Sequence, residues 1–173
     1  MVDNALNIEA LKPRTLIISV IGGADPPKHA IDMAYSVGQL LAKKGVAVVC
    51  GGLRGVMEAV CRGAKSEGGL TIGILPGNDP NLSNEFIDFP IMTGMGYARN
   101  IIVVKTGRAV IAIDGAYGTL SEIGHALGDG IPVIGLETWK LPERSDLPIG
   151  LQIASSPSEA VNKAIDAALA RSN

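Results

Sequence analysis

Arg99 and Glu122 are the two charged residues whose surroundings point to chemistry. Arg99 closes the segment Gly94-Met95-Gly96-Tyr97-Ala98-Arg99, and Glu122 follows Asp114-Gly115-Ala116-Tyr117-Gly118-Thr119 by three residues. A guanidinium keeps its proton, so Arg99 can orient or polarise a ligand but cannot act as an acid. A carboxylate near a helix start is expected to stay ionised and to stabilise positive charge or bond hydroxyl groups. An ordinary cap or a structural Arg–Glu bridge would use the same residue types.

The loop before Glu122 is the most informative. Gly115 and Gly118 allow close backbone approach, and a helix entered at Thr119 would present unpaired N–H groups and a positive partial charge, a place that suits phosphate. A tight strand-to-helix turn without a ligand fits the same residues. Gly51-Gly52-Leu53-Arg54-Gly55 is similar, but it contains neither GxGxxG nor the GK[ST] of a P-loop. Arg54 is equally consistent with an anion contact and with a solvated surface. Together with Gly22-Gly23-Ala24-Asp25, these segments supply the expected phosphate- or nucleotide-binding set: Gly22, Gly23, Gly52, Arg54, Gly55, Gly115, Ala116, Tyr117, Gly118 and Thr119.

Other chemistries lack their parts. Glu122 and His125 have ExxH spacing, but the only other histidine is His29, so no metal is expected. No Ser-His-Asp or Cys-His set can be assembled, and nothing around Lys105 suggests a Schiff base for a pyridoxal decarboxylase. No cofactor is expected. Cys50 and Cys61 lack metal-type spacing and read as reduced core thiols in a cytoplasmic protein. A net charge of −2 without a basic cluster argues against nucleic acid as a partner.

These loops need a scaffold, and the chain alternates apolar β-branched runs with segments of helical period. Expected strands are Thr15–Ile21, Val46–Cys50, Leu70–Leu75, Phe86–Met92, Arg108–Ile113, Ile131–Gly135 and Leu151–Ala154. Expected helices run from His29 to Lys44, from Val56 to the Gly68-Gly69 stop, from Tyr97 to Thr106, from Thr119 to Leu127, and onward from Ser156-Pro157-Ser158-Glu159, a capping box. The turn-rich stretch Pro76–Glu85 and a Pro-marked connection over 137–148 complete the pattern. With 47% hydrophobic and only 3% aromatic residues in 173, the core must be aliphatic. The reading is α/β: a Rossmann-like, doubly wound, mostly parallel sheet of about six or seven strands with helices on both faces. Residues 1–14 read as a flexible arm, neither signal peptide nor membrane span, and 15–173 as one nucleotide-binding domain. In such sheets ligands sit at the carboxyl ends of strands. If strands four and five were neighbours, Arg99 and Glu122 would share one crevice.

Read together, the loops resemble the LOG (lonely guy) family, long labelled "lysine decarboxylase-like". The likeness is strongest to its small bacterial branch, itself similar to molybdenum-cofactor carrier proteins. It runs from Leu16 to about Trp139, through Val49-Cys50-Gly51-Gly52-Leu53-Arg54-Gly55-Val56-Met57-Glu58-Ala59-Val60, Thr71–Gly77, Gly94–Asn100 and Gly118-Thr119-Leu120-Ser121-Glu122. Against the signature PGGxGTxxE, Gly115, Gly118, Thr119 and Glu122 match, while Asp114 replaces the proline and Ala116 the second glycine. Asn100 stands where a lysine follows the arginine. The resemblance implies a phosphoribohydrolase that cleaves the N-glycosidic bond of a nucleoside 5′-monophosphate, giving free base and ribose 5-phosphate. Arg99 and Glu122 would be catalytic; Gly115, Gly118 and Thr119 would bind phosphate. It also implies a homodimer or higher homo-oligomer with the site near the interface. The departures at 100, 114 and 116 motivate the alternative, a non-catalytic carrier or sensor of a phosphate-bearing ligand such as the molybdenum cofactor.

Overall fold

The longest uninterrupted aliphatic runs become the inner strands. The computed structural model describes residues 15–142 and 150–171; the expected arm over 1–14 and the connection beyond Pro142 lie outside the described residues. Seven strands, β1 (Ile17–Gly22), β2 (Ala47–Cys50), β3 (Thr71–Leu75), β4 (Phe89–Met92), β5 (Val110–Ile113), β6 (Val133–Leu136) and β7 (Leu151–Ala154), pair in the order β4-β3-β2-β1-β5-β6-β7. Every pairing is parallel. The α/β, Rossmann-like class is therefore as expected.

Among the described residues five helices cover the two faces: α1 (Lys28–Lys43), α2 (Val56–Ser66), α3 (Asn100–Thr106), α4 (Tyr117–Gly128) and α5 (Pro157–Ala170). Helices α1, α2 and α5 pack with Ile18, Val20, Val48, Ile111 and Ile134 on one face. Helices α3 and α4 pack with Ile21, Val49, Val110, Ala112 and Val133 on the other. Alternate residues of β1 and β5 thus go to opposite layers, the period expected of a strand buried on both sides. Both layers are aliphatic.

The strand order corrects one premise. β4 is an edge strand and β5 pairs with β1, so strands four and five are not neighbours. The chain steps outward from β1 to β4, then returns to the middle through α3. Ser19, fully buried in β1, holds that return: its Oγ donates to the Val103 carbonyl at 2.7 Å and accepts the Gly107 N–H at 3.1 Å. α3 therefore starts over the centre of the sheet, and Arg99 arrives there by the crossover.

Two further boundaries differ from expectation. α4 begins at Tyr117 rather than Thr119, capped by Ala116 in extended conformation. Residues 96–99 form a short 3-10 turn ahead of α3. At α5, Ser156 Oγ accepts the Glu159 N–H as the capping motif requires, but the Glu159 carboxylate bonds the N–H and hydroxyl of Ser155. No helix among the described residues is long and apolar enough to cross a membrane.

Candidate functional site

Two helices start on opposite faces of the sheet after its central strands, α1 after β1 and α4 after β5. Their loops separate and leave a cleft of about 250 Å3 at the carboxyl edge. Its wall on the β1 side is Ile21, Gly22, Gly23 and Ala24; on the α4 side it is Ala116, Gly118, Thr119 and Glu122. Gly51 and Leu53 close it from the β2–α2 loop with Met57 of α2, and Tyr97 and Arg99 from the turn before α3 with Asn100 of α3.

Ala116 carries no side-chain oxygen, and no side chain caps α4. The first-turn N–H groups of Tyr117, Gly118 and Thr119 have no intrahelical acceptors, which makes this end a place for an anion. At Gly118 an added Cβ would meet nothing within 4 Å. The missing side chain there is open space facing the cleft. Gly115 differs: with φ of +107°, it turns the chain, and a Cβ would collide with Thr119. Its task is to shape the loop.

Arg99 and Glu122 meet at the inner end of the cleft, 8% and 6% exposed. Arg99 Nη1 lies 3.6 Å from Glu122 Oε1, beyond hydrogen-bonding range, and donates to Asn100 Oδ1 at 2.7 Å. Gly51 lets the guanidinium close in, since a Cβ there would stand 2.5 Å from Arg99 Nη2. Arg99 Nε is buried without a hydrogen-bond partner among the described residues. Such a donor costs about 1–3 kcal/mol when left unpaired, so a ligand acceptor here would be favoured.

Burial pushes the Glu122 carboxyl up to about 7, against the opposing pull of Arg99. Glu122 is thus harder to ionise than the helix-start argument expects, with both protonation states populated near pH 7. Glu122 lies in the second turn of α4, past the reach of the helix terminus, and desolvation outweighs one imperfectly placed cation. Burial also lowers the Arg99 pKa, although Glu122 and Cys50 favour its charge. Cys50 lies just behind Gly51, its Sγ 3.5 Å from Cys61 Sγ, and both are buried free thiols. The Cys61 contact depresses the Cys50 pKa and raises that of Cys61.

Of the expected site residues, Gly22, Gly23, Ala116, Gly118, Thr119, Arg99 and Glu122 come together around the cleft. Gly52, Arg54, Gly55, Gly115 and Tyr117 are not among its lining residues. Arg54 is exposed, and Tyr117 is 80% exposed on the rim. Gly52 packs toward Leu75 and Gly73, whereas Gly55 sits against the Gly23 carbonyl. Residues missed from sequence are Ile21, Ala24, Gly51, Leu53, Met57, Tyr97 and Asn100. Ala24, Gly51, Leu53, Tyr97 and Asn100 lay inside segments already singled out; Ile21 and Met57 carry no signal separating a cleft wall from a core. His125 is exposed, while Glu122 is buried, so the two do not converge on one site. Among the described residues no three His, Cys, Asp or Glu side chains cluster to hold a metal.

The model of the SLOG cluster4 family matches residues 15–162. A protein of Archaeoglobus fulgidus is 43% identical, the match covering 88% of this chain and 96% of that one. The cytokinin riboside 5′-monophosphate phosphoribohydrolase of Mycobacterium tuberculosis is 31% identical, covering 67% and 68%. Among solved structures, the molybdenum cofactor binding protein of Rippkaea orientalis superposes with a TM-score of 0.82 at 36% identity, covering 90% and 98%.

Proposed function

The chain belongs to the SLOG cluster4 family, and we propose that it binds a nucleoside 5′-monophosphate in the cleft and hydrolyses the N-glycosidic bond. The phosphate sits on the first-turn amides of α4 at Gly118 and Thr119. The ribose then lies toward Arg99 and Glu122. The observation that carries this reading is the buried Arg99–Glu122 pair at the inner end of the cleft, with one donor unpartnered among the described residues and a carboxyl that burial pushes up to about 7.

A protonated Glu122 can supply what the reaction lacks elsewhere, an acid for the departing base. The C1′–N bond breaks with its electron pair going to the base nitrogen, which takes the Glu122 proton. The resulting carboxylate faces an oxocarbenium-like ribose. At about 4 Å and an effective dielectric of 20 that attraction is worth roughly 4 kcal/mol, on the order of a thousandfold in rate if confined to the transition state. Water adds to C1′ and its proton returns to Glu122, so the acid is restored. Arg99 orients the sugar or polarises the leaving group.

The test is incubation with purine and pyrimidine nucleoside 5′-monophosphates and detection of ribose 5-phosphate. Product is expected from the wild type and is reduced at least a hundredfold in Glu122→Gln. Gly118→Ala, which meets no neighbour in the fold, should fold normally and lose ligand affinity. Absence of product with every nucleotide would exclude hydrolysis.

A second reading, a carrier of a phosphate-bearing ligand such as the molybdenum cofactor, is favoured by the nearly end-to-end likeness to the Rippkaea protein. Asp114, Ala116 and Asn100 also depart from the hydrolase signature. A ligand retained through gentle purification, seen by native mass spectrometry alongside no turnover, would select it. A cytoplasmic homo-oligomer belongs to either reading as a proposal.

A further inference from the structure

We propose that the mouth of the cleft is a ring-binding subsite, in which Tyr97 and the Tyr117–Trp139 pair receive a planar nitrogen heterocycle carried by the phosphate ester bound inside. This rests on the reading that a phosphate ester occupies the cleft.

The first support is where the aromatic residues are. The chain has one tryptophan and three tyrosines; Tyr97 lines the cleft, while Tyr117 and Trp139 adjoin its wall residue Ala116, one in sequence and one by a hydrogen bond. Phe86 and Trp139 pack, partly buried, against the core, and neither Tyr97 nor Tyr117 does. Tyr97 lines the cleft while remaining 91% exposed, and Tyr117, at the first position of α4, is 80% exposed. Neither ring is used for packing the sheet.

The second is that the α4 side of the mouth is built. The Tyr117 and Trp139 rings lie 5.7 Å apart between centroids, tilted by 35°. Trp139 Nε1 donates to the Ala116 carbonyl at 3.2 Å. Ala116 is the cap residue of α4 and lines the cleft, so this hydrogen bond ties the ring pair to the expected phosphate seat. Tyr97 is fixed from the other side, two residues ahead of Arg99 in the 3-10 turn Gly96–Arg99.

The third is size. The cleft's 250 Å3 is below the roughly 300–1,000 Å3 usual for small-molecule sites. A phosphate and a sugar fill it, and anything attached to the sugar must emerge over the rim. There it meets π-faces, which suit a planar ring and discriminate little between rings. A purine and a pterin share this chemistry.

The experiment is calorimetric titration with three probes: the carbocyclic analogue of AMP, which cannot be hydrolysed, a pterin monophosphate, and ribose 5-phosphate, which has no ring. At least one ring-bearing probe should bind tenfold or more tightly than ribose 5-phosphate. Tyr97→Ala and Tyr117→Ala should each weaken that probe by roughly fivefold to a hundredfold more than they weaken ribose 5-phosphate, and be rescued by phenylalanine. Trp139, as the sole tryptophan, should change its fluorescence with the ring-bearing probe and not with ribose 5-phosphate. The stronger of the two ring-bearing probes identifies the ring's source. Equal affinity for all three in the wild type overturns the subsite and leaves the phosphate reading standing; no binding of any overturns both. Tyr97 also continues an exposed apolar stripe of Phe89, Ile91, Met92 and Met95. If Tyr97→Ala alters the sedimentation mass while ring affinity is unchanged, that face meets a second copy and the subsite is likewise overturned.

Discussion

Glu122 combines a deep position with an incomplete ion pair, and both consequences can be measured. Its carboxyl is moved from 4.5 to about 7. Between those values the unfolded chain has lost this proton and the folded chain retains it. Stability should therefore fall as pH rises through the window, by on the order of 3 kcal/mol in all. Glu122→Gln removes the group, so its urea midpoint should stay flatter from pH 5 to 8 and exceed the wild type's at pH 8. A wild type no less stable at pH 8 than at pH 5, relative to that variant, would refute the raised pKa. In turnover, activity that depends on the protonated form should decline tenfold per unit above about pH 7; a rate rising through 7 would assign the work to the carboxylate instead. Asn100 adjusts this balance, because its Oδ1 takes Arg99 Nη1 at 2.7 Å while Glu122 is left at 3.6 Å. Asn100→Ala should release Nη1 toward Glu122 and lower the carboxyl pKa, read directly by carboxyl NMR titration. An unchanged pKa would show that the guanidinium is held by other contacts. Sequence spacing identified Arg99 and Glu122, but a linear argument from the helix dipole carries no measure of depth, and depth decides the protonation state.

Elements were legible where a run of one residue class suffices. The seven apolar segments all contain strands because a sheet covered on both faces needs continuous aliphatic stretches, and the one placed nearest the end, Leu151–Ala154, keeps its expected bounds. Lateral order was mostly not legible. Pro90 within β4 is a sign of an edge strand, because proline cannot donate to a ladder, but nothing in the sequence marks β5 as the partner of β1. The α4 start was displaced by two residues because Ala116 gives no side-chain cap signal. Close packing also appears only in three dimensions. α1 and α2 touch backbone to backbone: a Cβ at Gly38 would collide with the Val60 carbonyl, and one at Gly63 with the Tyr35 carbonyl. Gly38→Ala should force the helices apart and lower stability by about 1–3 kcal/mol in urea unfolding. Gly124→Ala is the counterpart: it lies exposed in α4 with no atom within 4 Å of the added methyl, and should gain up to about 1 kcal/mol. Similar changes at both positions would argue against the close α1–α2 contact.

At the scale of the molecule, the site follows from where the winding reverses. From β1 the chain moves outward through β2 and β3 to β4, and from β5 it moves the other way through β6 to β7. The reversal lies between β1 and β5, the place where loops must diverge and where ligands of open α/β sheets bind. The loops after β1, β2 and β5 and the turn before α3 all meet there, although they are scattered from residue 21 to residue 122. The carboxyl-edge rule made this region legible without the strand order, whereas the correct route of Arg99 required it. A ligand bound at this reversal braces both halves of the sheet at once. At a concentration a hundred times its Kd it should add about 2.7 kcal/mol to global stability. Hydrogen exchange should slow most at Gly22–Ala24 and Ala116–Thr119 and least along α5 and β7, which lie away from the cleft. Protection concentrated at β4 or β7 would move the site to an edge of the sheet, where no switch of winding opens a cleft and the Arg99–Glu122 pair would have nothing to act on.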